Sequence, residues 1–366
     1  MRIGIDGREL QGRPTGAGRY LRNLLRHWAA DPGDSLVVYF NGPAPRDAVL
    51  DARGIETRPL GDGRERGLAW QQRTLPRAAG ADALAAFFSP AYVCPLSLRV
   101  PRITAIHDLS FFARPHEFGP LDGFRRRLLA SASVRASSQI LACSNFTKNE
   151  IAARFPEAAS RVAFVPLGPD DDLAPSRPRA EARERLGILG PLVICVGSLF
   201  ERRCIPELLR AFVAVRQRYP NARLDIVGEN RSHPFRDYEE DSRLRGLAGG
   251  VRFTGFADEA LLADLYAAAD VAVSLSEYEG FGLPALEALA RGVPLVISDR
   301  PSLSELFSEA ALSVDPRSPE RIAEAILRAL AEPSRDDLVR RGHELAARYS
   351  WRRTAELTRA AFERAA

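Results

Sequence analysis

Short apolar runs alternate with longer amphipathic stretches over nearly the whole chain. In the first half these runs are RIGID, LVVYF, RITAI, QILAC and RVAFV, and in the second half LVICVG, RLDIVG, VRFTG, DVAVSL, PLVIS and ALSVD. The stretches between them have helical spacing, as in 206–217 and 259–269. Apolar strands that alternate with helices are typical of parallel sheets built from βαβ units. The pattern therefore predicts an α/β fold with doubly wound parallel sheets.

A segment rich in proline and charge separates the two sets of strands. We expect a first Rossmann-like domain over 1–168, a linker over 169–189, a second such domain over 190–348 and a C-terminal helix over 349–366. A length of 366 residues suits two domains. The last helix is amphipathic and can pack on either domain, including back onto the first. Its expected buried positions are Trp351, Ala355, Leu357 and Phe362.

The charge balance and the cysteines narrow the class of protein. The chain carries 51 basic and 47 acidic residues, a net charge of +4, which argues against a nucleic acid as its main partner. Its four cysteines form no C-x-x-C pair, and we expect them to be reduced. There is no signal-peptide pattern and no apolar run of about 18 residues. We therefore expect a cytoplasmic protein.

One basic stretch leaves contact with a membrane open. FRRRLLASASVRA carries apolar residues at helical intervals among its arginines. Such a helix either lies on an anionic membrane surface or presents a solvated face. Peripheral association with the inner face of a membrane is therefore an alternative to a freely diffusing protein.

The stretch EYEGFGLPALEALARG contains the most specific candidate site. It follows an apolar strand and leads into a helix, so the backbone N–H groups of Phe281, Gly282 and Leu283 can approach phosphate oxygens at the helix start. Glu287, about one turn into the helix, can accept hydrogen bonds from ribose hydroxyls. Glu279, before the turn, would meet the group beyond the phosphates. A plain turn with two surface glutamates is the alternative.

Two further groups follow apolar strands, where open parallel sheets bind their ligands. Arg202 and Arg203 come after LVICVG and offer paired donors to a diphosphate; solvated loop arginines are the alternative. His107 and Asp108 come directly after RITAI. The His107 imidazole would bind a sugar hydroxyl or point its N–H at developing charge, with Asp108 orienting it, or else be a satisfied structural residue.

Two weaker patterns complete the candidates. Gly16, Ala17 and Gly18 follow the first strand but fit neither G-x-G-x-x-G nor a P-loop. The acidic run 170–172 is compatible with a metal-bound diphosphate, but it lies in the linker, which favours a solvated acidic run. Because arginines and a helix start already supply positive potential, we expect no metal and no bound cofactor.

The stretch EGFGLPALEALARGVPLV resembles the E-x7-E element of the retaining glycosyltransferases of family four, which have the GT-B architecture of two facing Rossmann-like domains. The likeness covers nearly the whole chain, since other segments resemble the family in the same order: TGAGRYLRNLL, AIHDLSFF, ACSNFTKNEI, VPLG, CVGSLFERRCIPELLRAF, LDIVG, VRFTGF and SELFSEAALSVDP.

The resemblance implies a function and a set of roles. It implies retaining transfer of a hexose from a nucleotide-diphosphate sugar to a carbohydrate or lipid-linked glycan in polysaccharide biosynthesis. Glu287 would hold the ribose, Glu279 the sugar, Arg202 and Arg203 the diphosphate, and His107 would contact the sugar. The equivalents of Gly16 and Gly18 would lie near the donor phosphate, and those of Ala17 and Asp108 on the acceptor side.

This sequence also departs from the family. Where the family commonly has Arg-Lys-Asn, this chain has Arg202, Arg203 and Cys204, so the resemblance carries Arg202 over unchanged. Likeness to enzymes of bacterial surface polysaccharides favours mannose from GDP-mannose. UDP-glucose, an epimerase or phosphorylase of the same architecture, and a non-catalytic nucleotide-sugar-binding protein are the alternatives. A pyridoxal aldimine would need a lysine, and Lys148 is the only one.

Overall fold

The computed structural model describes residues 1–12, 15–28, 33–170 and 177–365. These residues form two compact units. Unit 1 comprises Met1–Ala113, Pro120–Gly168 and Ser350–Ala366, and unit 2 comprises Arg114–Gly119 and Pro169–Tyr349. The sequence-based division placed 114–119 in the first domain, so the structure assigns this short segment differently.

Each unit contains one sheet in which all strand pairs are parallel. The strands are β1 Arg2–Asp6, β2 Ser35–Asn41, β3 Ile55–Leu60, β4 Ala86–Ser89, β5 Arg102–Ile106, β6 Gln139–Ala142, β7 Val162–Phe164, β8 Leu192–Val196, β9 Arg223–Val227, β10 Val251–Thr254, β11 Val271–Ser274, β12 Leu295–Ser298 and β13 Ala311–Val314. Their spatial order is β3-β2-β1-β4-β5-β6-β7 in unit 1 and β10-β9-β8-β11-β12-β13 in unit 2. The predicted α/β class with two doubly wound parallel sheets is confirmed.

Helices connect most of these strands. They are α1 Gly16–Trp28, α2 Gly67–Ala69, α3 Leu75–Ala81, α4 Ser110–Ala113, α5 Pro120–Ala136, α6 Asn145–Arg154, α7 Arg179–Leu186, α8 Ile205–Arg218, α9 Tyr238–Leu244, α10 Glu259–Ala268, α11 Leu283–Ala290, α12 Pro301–Phe307, α13 Pro319–Leu330, α14 Ser334–Ala346 and α15 Trp351–Ala365. None of the described helices is long and apolar enough to cross a membrane.

Two strands of unit 1 lie where no strand was predicted. β3 forms an edge of the sheet. Its half-buried residues include charged side chains, and its exposed Pro59 removes a backbone donor. β4 lies in the middle of the sheet and is only four residues long. Neither segment has the alternation of apolar and polar residues that marks a half-buried strand in a sequence.

The C-terminal helix α15 packs within unit 1. The ring of Phe362 lies 5.1 Å from that of Trp28 and 5.9 Å from that of Phe88, measured between centroids. Trp351, Ala355 and Phe362 are buried as expected, but Leu357 is only half-buried. The buried hydroxyls of the helix include that of Thr354, which donates to the carbonyl of Pro166 at 2.7 Å.

Part of the expected linker belongs to unit 2. Arg177 forms a two-oxygen contact with the carboxylate of Asp264 at 2.9 Å, and Arg183 contacts that of Asp270 at 3.0 Å. The charged residues that suggested a solvated linker therefore hold α7 and the residues before it against unit 2. Of the acidic run, 171 and 172 lie outside the described residues.

Candidate functional site

The loops after β8 and β11 meet at the point where the strand order of unit 2 reverses. From β8 the chain continues outward to β9 and β10, and β11 then pairs with the opposite side of β8. Ligands of doubly wound sheets bind at such a switch point, beyond the carboxyl ends of the strands. The loop after β8 carries both candidate arginines, and the loop after β11 carries the E-x7-E element.

The start of α11 presents backbone donors. Among the residues that the structure describes, none accepts a hydrogen bond from the N–H groups of Phe281, Gly282 or Leu283. Gly282 has a φ of +88°, and a Cβ added to it would lie 2.7 Å from Cδ2 of Leu303, so only glycine fits this turn without strain. Such donors, together with the helix dipole, form a site suited to an anion.

Glu279 and Arg203 are brought together at this helix start. Nη2 of Arg203 lies 3.3 Å from Oε2 of Glu279, and the hydroxyl of Ser276 donates to the same oxygen at 2.8 Å. The guanidinium also donates to the carbonyl of Val196, at the end of β8, at 3.3 Å. A guanidinium and a carboxylate therefore lie side by side between the two loops, where they can bind an anion and a hydroxyl group respectively.

Glu287 points into unit 2. Its side chain is 1% exposed, and the hydroxyl of Tyr266 donates to its Oε2 at 3.0 Å. Tyr266 belongs to α10, so the carboxylate faces the contact between α10 and α11 in this conformation. Ribose hydroxyls can bind this carboxylate, as the sequence predicts, only in a conformation that makes it accessible.

Arg202 has a different setting from its neighbour. Its guanidinium forms an ion pair with the carboxylate of Glu117, and its Cζ lies 4.2 Å from the centroid of the Phe200 ring. Arg202 is 7% and Glu117 5% exposed, so this is a buried pair. The sequence predicts both Arg202 and Arg203 as diphosphate ligands. The structure instead commits the Arg202 guanidinium to a carboxylate of the segment 114–119.

A chain of alternating charges continues from this pair. Nε of Arg114 lies 2.5 Å from Oε1 of Glu117, and its Nη2 lies 3.2 Å from Glu277, which also pairs with Arg317 at 2.6 Å. Burial alone would raise the pKa of Glu277, but the hydrogen bonds and charge of Arg317 outweigh it and hold this pKa below its ordinary value. Glu117 could not be identified from the sequence as the partner of Arg202, because the two residues lie 85 positions apart.

Cys204 occupies a strained position between the two arginines and α8. Its φ is +53°, in the left-handed region that Asn tolerates better than Cys. The thiol is buried, and its Sγ lies 3.7 Å from the carbonyl oxygen of Arg202. Burial raises the pKa of this thiol to about 12, so it stays protonated at neutral pH. All four cysteines are buried, and none of them forms a disulfide in the part of the chain that the structure describes.

In unit 1, His107 follows β5 and is held by its neighbours. Its Nε2 lies 2.8 Å from the carbonyl oxygen of Pro90, which only accepts, so Nε2 carries the proton and Nδ1 is an acceptor. Its ring meets that of Tyr20 edge to face, 4.9 Å between centroids. Burial lowers the pKa of His107. The ring can therefore accept from a sugar hydroxyl, but the predicted alternative of an N–H aimed at developing charge would break the bond to Pro90.

Asp108 does not orient this ring. Its Oδ1 accepts a hydrogen bond from the backbone N–H of Ser110 at 2.8 Å, at the start of α4. Of the hydrogen bonds that the structure describes, none joins Asp108 to His107. The carboxylate raises the pKa of His107 only through its charge, which burial outweighs.

Gly16, Ala17 and Gly18 form the first turn of α1. A Cβ added to Gly18 would lie 2.4 Å from the carbonyl oxygen of Glu9, so close packing of α1 on the turn after β1 accounts for this glycine. Gly16 is exposed and has open space around it. Its neighbours 13 and 14 lie outside the described residues.

Known proteins resemble this chain over both units. The family model described as Glycosyltransferase Family 4 matches residues 14–173, and the model described as Glycosyl transferases group 1 matches residues 178–345. The O-antigen chain mannosyltransferase B of Escherichia coli is 34% identical over 68% of this chain and 66% of its own length. A glycogen synthase of Mycobacterium tuberculosis is 30% identical over 64% of this chain and 56% of its own length.

A solved structure resembles the fold over its whole length. The sucrose-phosphate synthase of Thermosynechococcus elongatus matches with a TM-score of 0.76 over 99% of this chain and 98% of its own, at 23% identity. The regions matched in the two curated relatives amount to 56–66% of their lengths.

Proposed function

Because the chain belongs to the family-four glycosyltransferases of the GT-B fold class, we propose that it transfers a hexose from a nucleotide-diphosphate sugar to a hydroxyl of a glycan or lipid-linked glycan, with retention of the anomeric configuration. Mannose from GDP-mannose is the favoured donor, and polysaccharide biosynthesis the setting. The mannosyltransferase of Escherichia coli, at 34% identity, supports this choice of sugar.

One observation carries the proposal. At the switch point of unit 2, the backbone donors of Phe281, Gly282 and Leu283 adjoin the Arg203 and Glu279 pair, 3.3 Å apart. The helix start and the guanidinium supply positive charge for a diphosphate, and the carboxylate next to them can accept hydrogen bonds from sugar hydroxyls. A nucleotide-diphosphate sugar carries these two groups in adjoining positions.

The bonds that break and form in the reaction define the roles of these residues. The bond between the anomeric carbon and the diphosphate oxygen breaks, and the acceptor oxygen bonds to that carbon from the same face. The acceptor's proton passes to an oxygen of the leaving phosphate. Negative charge grows on the diphosphate as it leaves, so the N–H groups of 281–283 and the guanidinium of Arg203 stabilise the transition state more than the ground state.

The remaining candidates take supporting roles. Glu287 binds ribose once its buried carboxylate becomes accessible, and Nδ1 of His107 accepts a hydrogen bond from a sugar hydroxyl. The sequence-based role of Arg202 changes. Its buried pair with Glu117 favours a structural role, in which it holds the segment 114–119 within unit 2. No metal is required in this scheme, because the site's own positive charge meets the diphosphate.

Glucose donors are the second candidate. Glycogen synthase and sucrose-phosphate synthase are similar to this chain and are named for other products. A phosphate-binding helix start and an arginine serve any nucleoside diphosphate, so these elements do not select the base or the sugar.

Product analysis tests the proposal. The protein is incubated with GDP-mannose, UDP-glucose or ADP-glucose, with and without a mannose oligosaccharide, and nucleoside diphosphate and glycan are followed by mass spectrometry. We expect acceptor-dependent release of one diphosphate, a product that keeps the donor's anomeric configuration by NMR, and no loss of activity in chelator.

Matched variants make the assay specific to the site. Glu279→Gln should abolish transfer, whereas Glu324→Gln, on an exposed face of α13, should not. Interconversion of a nucleotide sugar without acceptor, or dependence on inorganic phosphate, would overturn the transferase assignment in favour of an epimerase or phosphorylase. Tight donor binding without any diphosphate release would favour a binding protein.

A further inference from the structure

Helix α5 exposes an apolar stripe to solvent. Leu121, Phe124 and Leu128 are 81%, 58% and 57% exposed. Of the eight exposed large apolar side chains that the structure describes, these three lie on one helix and the others on separate segments. Their spacing of three and four residues places them on one side of the helix. Scattered exposed apolar residues are ordinary, but a continuous stripe marks an interaction surface.

The opposite side of α5 is fixed in unit 1. Gly123, Ala130 and Val134 are buried, and so is Ser133, whose hydroxyl accepts a hydrogen bond from the backbone N–H of Cys94 at 3.0 Å. The helix is therefore already packed on its sheet through its other face. The exposed apolar stripe is therefore not the side of α5 that packs in the core of unit 1.

Exposed arginines accompany the stripe. Four arginines and one aspartate give α5 a net charge of +3. Arg125, Arg126 and Arg135 have side chains 57%, 49% and 59% exposed. Arg126 pairs with Asp122 at 2.7 Å, and Arg135 with Glu157 at 3.0 Å, but such exposed pairs are weak and exchange readily for other anions.

We propose that this face of α5 docks on an anionic lipid bilayer, with the three apolar side chains inserted at the interface and the arginines on lipid phosphates. An apolar stripe flanked by arginines is the composition of helices that lie in a membrane surface. The helix is 17 residues long, about 25 Å. Because its exposed apolar residues lie on one side, the helix axis lies along the membrane surface. A second copy of the chain fits less well, because a two-fold contact would bring two positively charged helices together. This inference does not depend on the proposed reaction.

Vesicle sedimentation tests the surface. The protein is mixed with vesicles of phosphatidylcholine alone or of phosphatidylcholine with phosphatidylglycerol, at low and high salt. We expect binding to the anionic vesicles, weakened by salt and much weaker without anionic lipid. Phe124→Ser with Leu128→Ser should weaken binding about tenfold for each side chain, which is about 1.4 kcal/mol each. Arg125→Gln with Arg135→Gln, at two arginines beside the stripe, should reduce it about fivefold per charge.

A matched variant controls for nonspecific binding of exposed apolar side chains to the vesicles. Phe235→Ser with Leu244→Ser removes two side chains of unit 2 that are 74% and 77% exposed, and should leave vesicle binding unchanged. Circular dichroism checks that each variant is folded, and calorimetry with nucleoside diphosphate checks unit 2 separately. Equal binding of the α5 variant and the wild type would overturn the proposal. The proposal would also be overturned if the wild type did not bind vesicles but formed a dimer, and if Phe124→Ser dissociated that dimer.

Discussion

The buried pair of Glu117 and Arg202 gives the most demanding prediction. Glu117 is one of the few residues that the segment 114–119 contributes to unit 2, and both of its carboxylate oxygens contact arginines, Arg114 and Arg202. Glu117→Gln keeps the size of the side chain but removes its charge. Two guanidinium groups then share one neutral oxygen, and the buried guanidinium of Arg202 loses its counter-charge.

The loss of stability in Glu117→Gln follows from the burial of the ion pair. Removing one partner of a buried ion pair costs about 3–5 kcal/mol, because the other charge is left unpaired. Gln retains an acceptor, so we expect the lower end, about 3 kcal/mol. For a unit of this size each kcal/mol lowers the melting temperature by about 2–4 °C, which gives about 6–12 °C in total. Arg202→Met in the same chain should restore part of the loss, because it removes the orphaned charge.

The placement of the tryptophans allows the two units to be followed separately. Trp28, Trp70 and Trp351 are the chain's three tryptophans and all lie in unit 1, whereas both units contribute to far-UV circular dichroism. In urea, Glu117→Gln should lower the dichroism transition of unit 2 more than the fluorescence transition. Nucleoside diphosphate affinity should change less than threefold. An unchanged dichroism transition, or a tenfold loss of affinity without loss of stability, would refute the structural role of the pair.

Three further predictions concern single positions. Cys204→Asn should raise the melting temperature by about 2–4 °C in a thermal scan, because Asn relieves about 1 kcal/mol of strain at a φ of +53°. Gly282→Ala should cost about 1–3 kcal/mol in urea unfolding and weaken diphosphate binding, because its Cβ would meet Leu303. Burial lowers the pKa of His107, so its stability contribution is present above about pH 6.5 and is lost as pH falls below that value; His107→Gln should flatten this slope in urea titrations followed by fluorescence.

Each of these has a contradicting outcome. A lower melting temperature for Cys204→Asn would mean that the buried site cannot accommodate an amide. Unchanged diphosphate affinity in Gly282→Ala would separate the helix start from ligand binding. A pH slope that persists in His107→Gln would assign it to another group.

The apolar runs predicted the parallel sheets because a strand that is buried on both faces consists almost entirely of apolar residues. β3 escaped prediction at an edge of the sheet, where this constraint is weakest. β4 is buried along its whole length, but the apolar residues 83–85 directly precede it, so no polar residue marks its start. The C-terminal helix was predicted correctly, but its buried side includes the hydroxyl of Thr354, which finds a carbonyl acceptor that no periodicity reveals.

The candidate site was predictable where it depends on local geometry. Gly282 and Pro284 mark the helix start, and the chain places Glu279 just before it. The contact of Arg202 was not predictable, since Glu117 lies 85 residues away and in a segment that the sequence assigned to the other domain. Side-chain direction was also hidden, as the burial of Glu287 against Tyr266 illustrates.

Calorimetric titration of GDP, UDP and ADP into the wild type, Arg203→Ala and Arg321→Ala tests the central claim most directly. Arg321 is an exposed arginine of unit 2 paired with Glu324 at 3.0 Å, and serves as the control. The account predicts that one diphosphate binds, with about a tenfold or greater loss in Arg203→Ala from a charge-assisted contact worth about 1.5–3 kcal/mol, and no change in Arg321→Ala. Equal affinity of the wild type and Arg203→Ala, or no binding of any diphosphate, would contradict a donor site at the start of α11.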